Sequence, residues 1–296
     1  MKKIKNINKL QDQSGATLIV LIISMVVIAV IGMAIYSMTY TASLNQVVAQ
    51  RAAKAFYVAE SCVRVAASEY KASASKNVTL VSLHNQTFPM PDNQGSCTVL
   101  IYPYWFYATA IYAANASPII LYLPGEVPRV DEDGTTAIVF PANGNLKIKG
   151  ASGAVAVFSS ATIGAFNAAA GGTPVTFALS TPFSTAIAVN DEFYIGYNYT
   201  GTTTPNAGGN LVLNINNNDM GRIFPPSKGS IFVESASVIS QYSYDERIIN
   251  TGVSVTLTNM QQVPGAPAPI WPITISNTPI YMGKSLGLRS TSTYGD

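Results

Sequence analysis

The hydrophobic pattern divides the chain into a helical first quarter and a strand-like remainder. Residues 16–35, ATLIVLIISMVVIAVIGMAI, are almost wholly apolar. As a helix rising about 1.5 Å per residue they span roughly 30 Å, the thickness of a bilayer's hydrocarbon core. The helical signal does not stop there: the first proline is Pro89, and YSMTYTASLNQVVAQRAAKAFYVAESCVRVAASEYKASASK is rich in good helix formers. Val48, Ala52, Ala55, Ala59, Cys62 and Ala66 fall at alternating spacings of four and three, one small-residue stripe. This predicts a single helix from about Ala16 to about Ser73, half in a membrane and half packed on a domain.

After about residue 90 the pattern changes to short β-branched and aromatic runs between clusters of Gly, Pro, Asn and Thr. CTVLIY, PIILYL, TTAIVF, LKIK, AVAVF, EFYIGY, NLVLNI, SIFVES, SVISQYSY, VSVTLT and PITIS all read as strands. Such spacing predicts an antiparallel sheet or sandwich rather than βαβ units, and the whole an α+β fold. The polar stretch YNYTGTTTPNAGGN, residues 197–210, either separates two lobes or forms a long surface loop, and the loop is the simpler assignment. Residues 230–258 resemble a hairpin with DER or IINTG near its turn.

Charge orients this arrangement. Only 11% of residues are charged, and none lies between Asp12 and Arg51. Lys2, Lys3, Lys5 and Lys9 precede the apolar run, so the positive-inside rule leaves the short N-terminus in the cytoplasm and the bulk outside. A secretory signal would have a shorter apolar region closed by a small-x-small site. With those lysines and Asp12 removed, thirteen basic and fourteen acidic residues remain, a balance of −1. A near-neutral body argues against nucleic-acid partners.

Candidate chemistry is sparse. Cys62 and Cys97 form no CxxC pair and no Cys/His cluster for a metal. One disulfide closing 35 residues is the simplest reading, two unpaired buried thiols the other. The single histidine, His84, lies in a polar stretch and reads as a surface residue. Gly283-Lys284-Ser285 fails as a phosphate loop because Thr278 stands where the first glycine belongs, and it reads as a turn. Asp131, Glu132, Asp133 and Gly134 do not match a calcium-loop spacing and read as a solvated hairpin turn. Asn214, Asn216, Asn217, Asn218 and Asp219 raise the same question more weakly. The aromatic run IYPYWFYATAIY reads as alternation in a half-buried strand. No cofactor is expected, no metal, and no enzyme.

A short basic leader ending in Gly15, then Ala16-Thr17-Leu18-Ile19 and a long apolar helix with an amphipathic continuation, resembles a class III prepilin signal. QSGATLIVLIISMVVIAVIG followed by QRAAKAFYVAESC is similar to the X-type minor pilins of type IV pili, and more distantly to the K-type pseudopilins of type II secretion. The resemblance covers roughly residues 1–75. It implies a leader at 1–15, a helix at 16–75 with 16–35 in the membrane, and a β-rich extracytoplasmic domain at 76–296. A prepilin peptidase would cut between Gly15 and Ala16 and N-methylate Ala16. Most pilins carry Glu at the fifth mature position, tolerated in the bilayer because it pairs with a neighbour's N-terminal ammonium, and here that position is Val20. A subunit lacking the carboxylate needs no partner ahead of it, which suits the first subunit of a filament. The resemblance therefore implies a minor pilin aiding filament initiation or tip assembly, with a displayed adhesin or a pseudopilin as alternatives. Its partners would be other pilin subunits through the helix, the peptidase, and the inner membrane before assembly.

Overall fold

Helix α1 runs from Lys5 to Ala72 in the computed structural model, longer than the expected span at its start and matching it at its end. The leader residues Lys5–Ser14 contain no proline or glycine, so nothing in them stops the helix from extending upstream of Ala16. The structure describes residues 5–90, 95–129, 137–149, 155–202, 209–235, 238–264, 275 and 277–293, with side chains from Leu18 onward. Contacts divide the chain into two units, Met1–Val58 and Ala59–Gly295. The first is α1 alone. The second contains the last turns of α1 and the β-rich domain, and the fold is α+β.

Within the second unit a short helix α2, Lys76–Leu83, follows α1. Then come β1 (Gln86–Pro89), β2 (Ser96–Pro103), β3 (Phe106–Tyr107), β4 (Ile119–Leu123), β5 (Gly144–Ile148), β6 (Val155–Ile163), β7 (Thr173–Thr181), β8 (Glu192–Thr202) and β9 (Leu211–Asn214). Helix α3, Asn218–Arg222, precedes β10 (Ser230–Ser235), β11 (Val238–Ser243), β12 (Arg247–Asn250), β13 (Ser254–Leu257), β14 (Gln261–Gln262), β15 (Thr278–Met282) and β16 (Leu286–Thr293). All pairings among the described residues are antiparallel.

Pairing closes a ring: β8 joins β3, β3 joins β4, and β7, β6 and β5 lead back to β8. Alternation fills this barrel. Ile119, Leu121 and Leu123 of β4 point inward while Ile120 points out, and Phe177 of β7 meets both Phe106 and Phe158 edge to face. Strand β8 outlasts the barrel. Beyond it, one edge takes β15, which leads to β10, β11 and β14, and the other takes β9, which leads to β13 and β12. Both edges of β8 are therefore paired, and Phe193, Tyr194, Ile195, Tyr197 and Tyr199 are all buried while Asn198 and Thr200 are exposed. Gly196 is demanded here, because a Cβ would run into the Tyr281 ring and lie 2.9 Å from the Ile280 carbonyl oxygen.

A separate three-stranded sheet, β1-β2-β16, lies against α2 and the end of α1. Its β2 leads into β3 across IYPYWFYATAIY, where Ile101–Ala108 are buried without a break. Alternation in one half-buried strand is thus not the cause. The run leaves one sheet at Pro103 and enters another at Phe106, so both of its faces meet protein.

Other expectations need correcting. YNYTGT of residues 197–210 is the end of β8 and pairs with β9 across the supposed lobe boundary, while 203–208 lie outside the described residues. TTAIVF forms no strand among its described residues, only a bridge from Ala137 to Arg129. Its Ile138 and Phe140 are buried and Val139 is exposed, so the alternation serves a plug packed on Phe106 rather than a ladder. Residues 230–258 hold two hairpins joined to opposite edges of β8, β10-β11 through β15 and β12-β13 through β9, the second turning at Thr251-Gly252 inside IINTG. PITIS lies outside the described residues except for Ile275, which is buried.

Candidate functional site

The residues singled out by the sequence concentrate on α1 and its attachment to the β domain. Gly15 and Ala16 fall within the backbone of α1, and their side chains are outside the described residues. From Leu18 the helix is long and apolar enough to cross a membrane. Val20 is 66% exposed, as are its neighbours to similar degrees. The few hydroxyls satisfy themselves locally: Ser24 donates to the Leu21 carbonyl at 2.9 Å, and Thr39 and Thr41 donate to Ile35 and Ser37 at 2.8 Å. Such back-bonding hides polar groups where no water is available.

Apolar exposure does not end with the membrane-length segment. Tyr36, Tyr40, Leu44, Val47, Val48, Phe56 and Tyr57 remain exposed, and Tyr36 stacks on Tyr40 with centroids 6.3 Å apart. The charge-free stretch from Gln13 to Gln50 is 38 residues, about 57 Å of helix at 1.5 Å per residue. A bilayer core needs only about 30 Å.

Within the second unit, the end of α1 is tied down at several points. Cys62 and Cys97 form a disulfide, Cα atoms 6.4 Å apart, fully buried beside Ala66. The small-residue stripe is thus covered only at its C-terminal end, while Val48 and Ala52 are exposed. Ser290 of β16 donates to the Ala59 carbonyl at 2.9 Å. Lys76 Nζ donates to the carbonyls of Tyr70 and Lys71 at 2.7 and 2.8 Å, capping the last turn with a cation.

Helix α2 completes the joint. Trp105 Nε1 donates to Asn77 Oδ1 at 3.1 Å, and Lys284 Nζ lies 4.7 Å from the Trp105 ring. Lys284 also pairs with Glu192, which Lys149 meets from the other side at 2.7 Å. Burial would raise the Glu192 pKa, but the hydrogen bonds from Lys149 and Lys284 outweigh it and hold the carboxyl below its usual range. Gly283-Lys284-Ser285 is the turn between β15 and β16, as expected, but its lysine fastens three elements together.

His84 is not the surface residue the polar stretch implied. It is buried, its Nδ1 accepts the Ile101 N–H at 3.1 Å, and its ring packs on Phe166 with centroids 4.3 Å apart. The neighbours are polar only in sequence, because α2 turns the histidine inward onto β2. Burial lowers its pKa, against weaker opposing pulls from Glu126 and the Ile101 bond.

Asp131, Glu132, Asp133 and Gly134 lie outside the described residues. The asparagine group has structural duties: Asn217 Oδ1 accepts Met220 N–H at 3.1 Å, Asn218 Oδ1 accepts Gly252 N–H at 2.7 Å, and Asp219 meets Arg222 at 3.4 Å. Among the described residues no group of three His, Cys, Asp or Glu side chains converges as a metal site. Neither a protein-family model, nor a curated protein, nor a solved structure matches the chain.

Proposed function

We propose that the chain is a minor subunit of a type IV pilus or related filament, made as a prepilin and acting in filament initiation or at the tip. The observation that carries this reading is the length of uncovered apolar helix. After a cut at Gly15 the charge-free run, residues 16–50, still measures about 52 Å and far exceeds a bilayer core of about 30 Å. A simple signal anchor has no use for the excess, whereas a helix that leaves lipid to pack among copies of similar helices needs apolar surface over its whole length.

On this reading the lysine-rich leader stays in the cytoplasm, the peptidase cuts after Gly15, and Ala16 becomes the methylated N-terminus. The β domain stands outside the inner membrane and later at the pilus surface. Val20 leaves the helix without the carboxylate that would seek a preceding subunit's amine, which favours the leading position. The Cys62–Cys97 bond fits an oxidising compartment.

N-terminal mass spectrometry of the protein purified from its native membrane tests the reading. The expected species begins at N-methylated Ala16, and Gly15→Val leaves the leader attached. An intact leader on the unaltered protein in cells with an active prepilin peptidase refutes it. Deleting the gene separates the two roles: loss of an initiator abolishes filaments, whereas loss of a displayed adhesin lowers attachment at normal filament number.

A further inference from the structure

Strand β8 changes partner partway along one edge. That edge pairs with β5 through Phe193–Gly196 and with β9 through Thr200–Thr202, and the register leaves Tyr197, Asn198 and Tyr199 with no strand beside them there. A cleft of about 400 Å³ opens at this gap. Its polar lining is made of amides: Asn143, Asn145, Asn198, Asn216 and Asn217, with the buried Tyr197 at its floor. Val157 and Met220 supply apolar wall, and no acidic or basic side chain lines it among the described residues.

These groups are poised in different ways. Asn145 Nδ2 donates to Asn198 Oδ1 at 3.0 Å, which fixes both amides and leaves an acceptor on one and donors on the other. Asn143 and Asn216 are exposed. Tyr197 is 2% exposed, and its hydroxyl is buried without a hydrogen-bond partner. A buried unpaired hydroxyl is destabilising, so its retention calls for a cause. The nearby Asp219 and the burial both keep that hydroxyl protonated, and hence able to donate.

We propose that this cleft is a binding site for a neutral saccharide. Uncharged amides of mixed donor and acceptor sense match sugar hydroxyls, and the half-buried Val157 and Met220 side chains match the apolar faces of a sugar ring. An anion or cation would find no counter-charge on the walls. An extended peptide would need a strand edge, and three residues between β5 and β9 give only about 10 Å of it. The volume sits at the small end of ligand pockets, about 300–1,000 Å³, suited to one or two rings. This site does not depend on the filament reading, and its test is unaffected by whether the leader is processed.

The experiment is saturation-transfer NMR on the full chain in a zwitterionic detergent free of sugar headgroups. The probes are the methyl glycosides of galactose, mannose, N-acetylglucosamine and N-acetylgalactosamine at millimolar concentration. At least one should receive saturation. Asn216→Ala should then weaken binding about tenfold, the loss of one hydrogen bond. Tyr197→Phe should weaken binding while leaving the urea midpoint equal or higher, because it removes an unpaired group. Glu60→Ala, on the exposed face of α1, should change nothing. Three results overturn the proposal: no transfer to any of the four probes, transfer undiminished in both Asn143→Ala and Asn216→Ala, or displacement of the bound sugar by a neutral dipeptide amide. The two asparagine variants are at the surface, so the test survives even if Tyr197→Phe fails to fold.

Discussion

Replacing both bonded cysteines by alanine should cost the β domain roughly 4 kcal/mol. The bond closes 35 residues, and the loop-entropy relation gives about that value for a loop of this length. Alanine is preferred to serine because both sites are fully buried, and a hydroxyl there would add an unpaired polar group. In urea, with an m-value of about 3 kcal/mol per molar, the midpoint of Cys62→Ala/Cys97→Ala should fall by roughly 1.3 M at unchanged m. The unaltered protein with its bond reduced should fall by a similar amount. Far-UV circular dichroism of the full chain in detergent follows the transition. A midpoint shift below about 0.3 M at constant m would refute the loop argument. A changed m would instead place the effect in the compactness of the unfolded chain.

Two further outcomes follow from buried charge. Lys147 is 4% exposed and pairs with Glu234 at 2.7 Å on the outer face of the barrel, so Lys147→Met should lower stability by about 3–5 kcal/mol through the stranded carboxylate. Urea melts should show the double variant Lys147→Met/Glu234→Leu recovering most of that loss, and a double variant no better than the single one would contradict it. His84 is held neutral, its pKa lowered by burial, so the unfolded chain takes up protons first as pH falls. The stabilisation is complete above the unfolded value of about 6.5 and declines below it toward the folded pKa. Between about pH 7 and pH 5 the urea midpoint of the unaltered protein should therefore fall more steeply than that of His84→Gln. Parallel slopes would show that the histidine titrates alike in both states.

The helix was legible because its signal is long and local: no proline before Pro89, no charge from Gln13 to Gln50, and a stripe ending in Cys62 and Ala66. Most strands with strong β-branched runs were legible for the same reason. Those that escaped notice were compositionally weak. LGLRSTST of β16 is half polar because its residues from Arg289 on are largely exposed, and TPVTFALST of β7 carries Pro174 inside a paired strand. Barrel closure was invisible, since it depends on which edges of β8 meet β3 and β5, a matter of register and not of pattern. His84 was misread because burial is decided by the turn after α2, and the amide-lined cleft joins residues from four separated segments. Neither the Tyr197 hydroxyl nor the Lys284–Glu192 contact has a signature along the chain.

Four strands hang on β8, and one of them, β15, is made long after it. In the smaller sheet Ser96 and Thr293 face each other across 197 positions of sequence. A growing chain thus holds β2 paired with β1 alone, and the outer half of β8 with β9 alone, until β15 and β16 have been made. Contacts so remote in sequence are slow to form, because long loops must be ordered before they are rewarded. The domain consequently closes only once β15 and β16 have been made and have found strands far upstream of them.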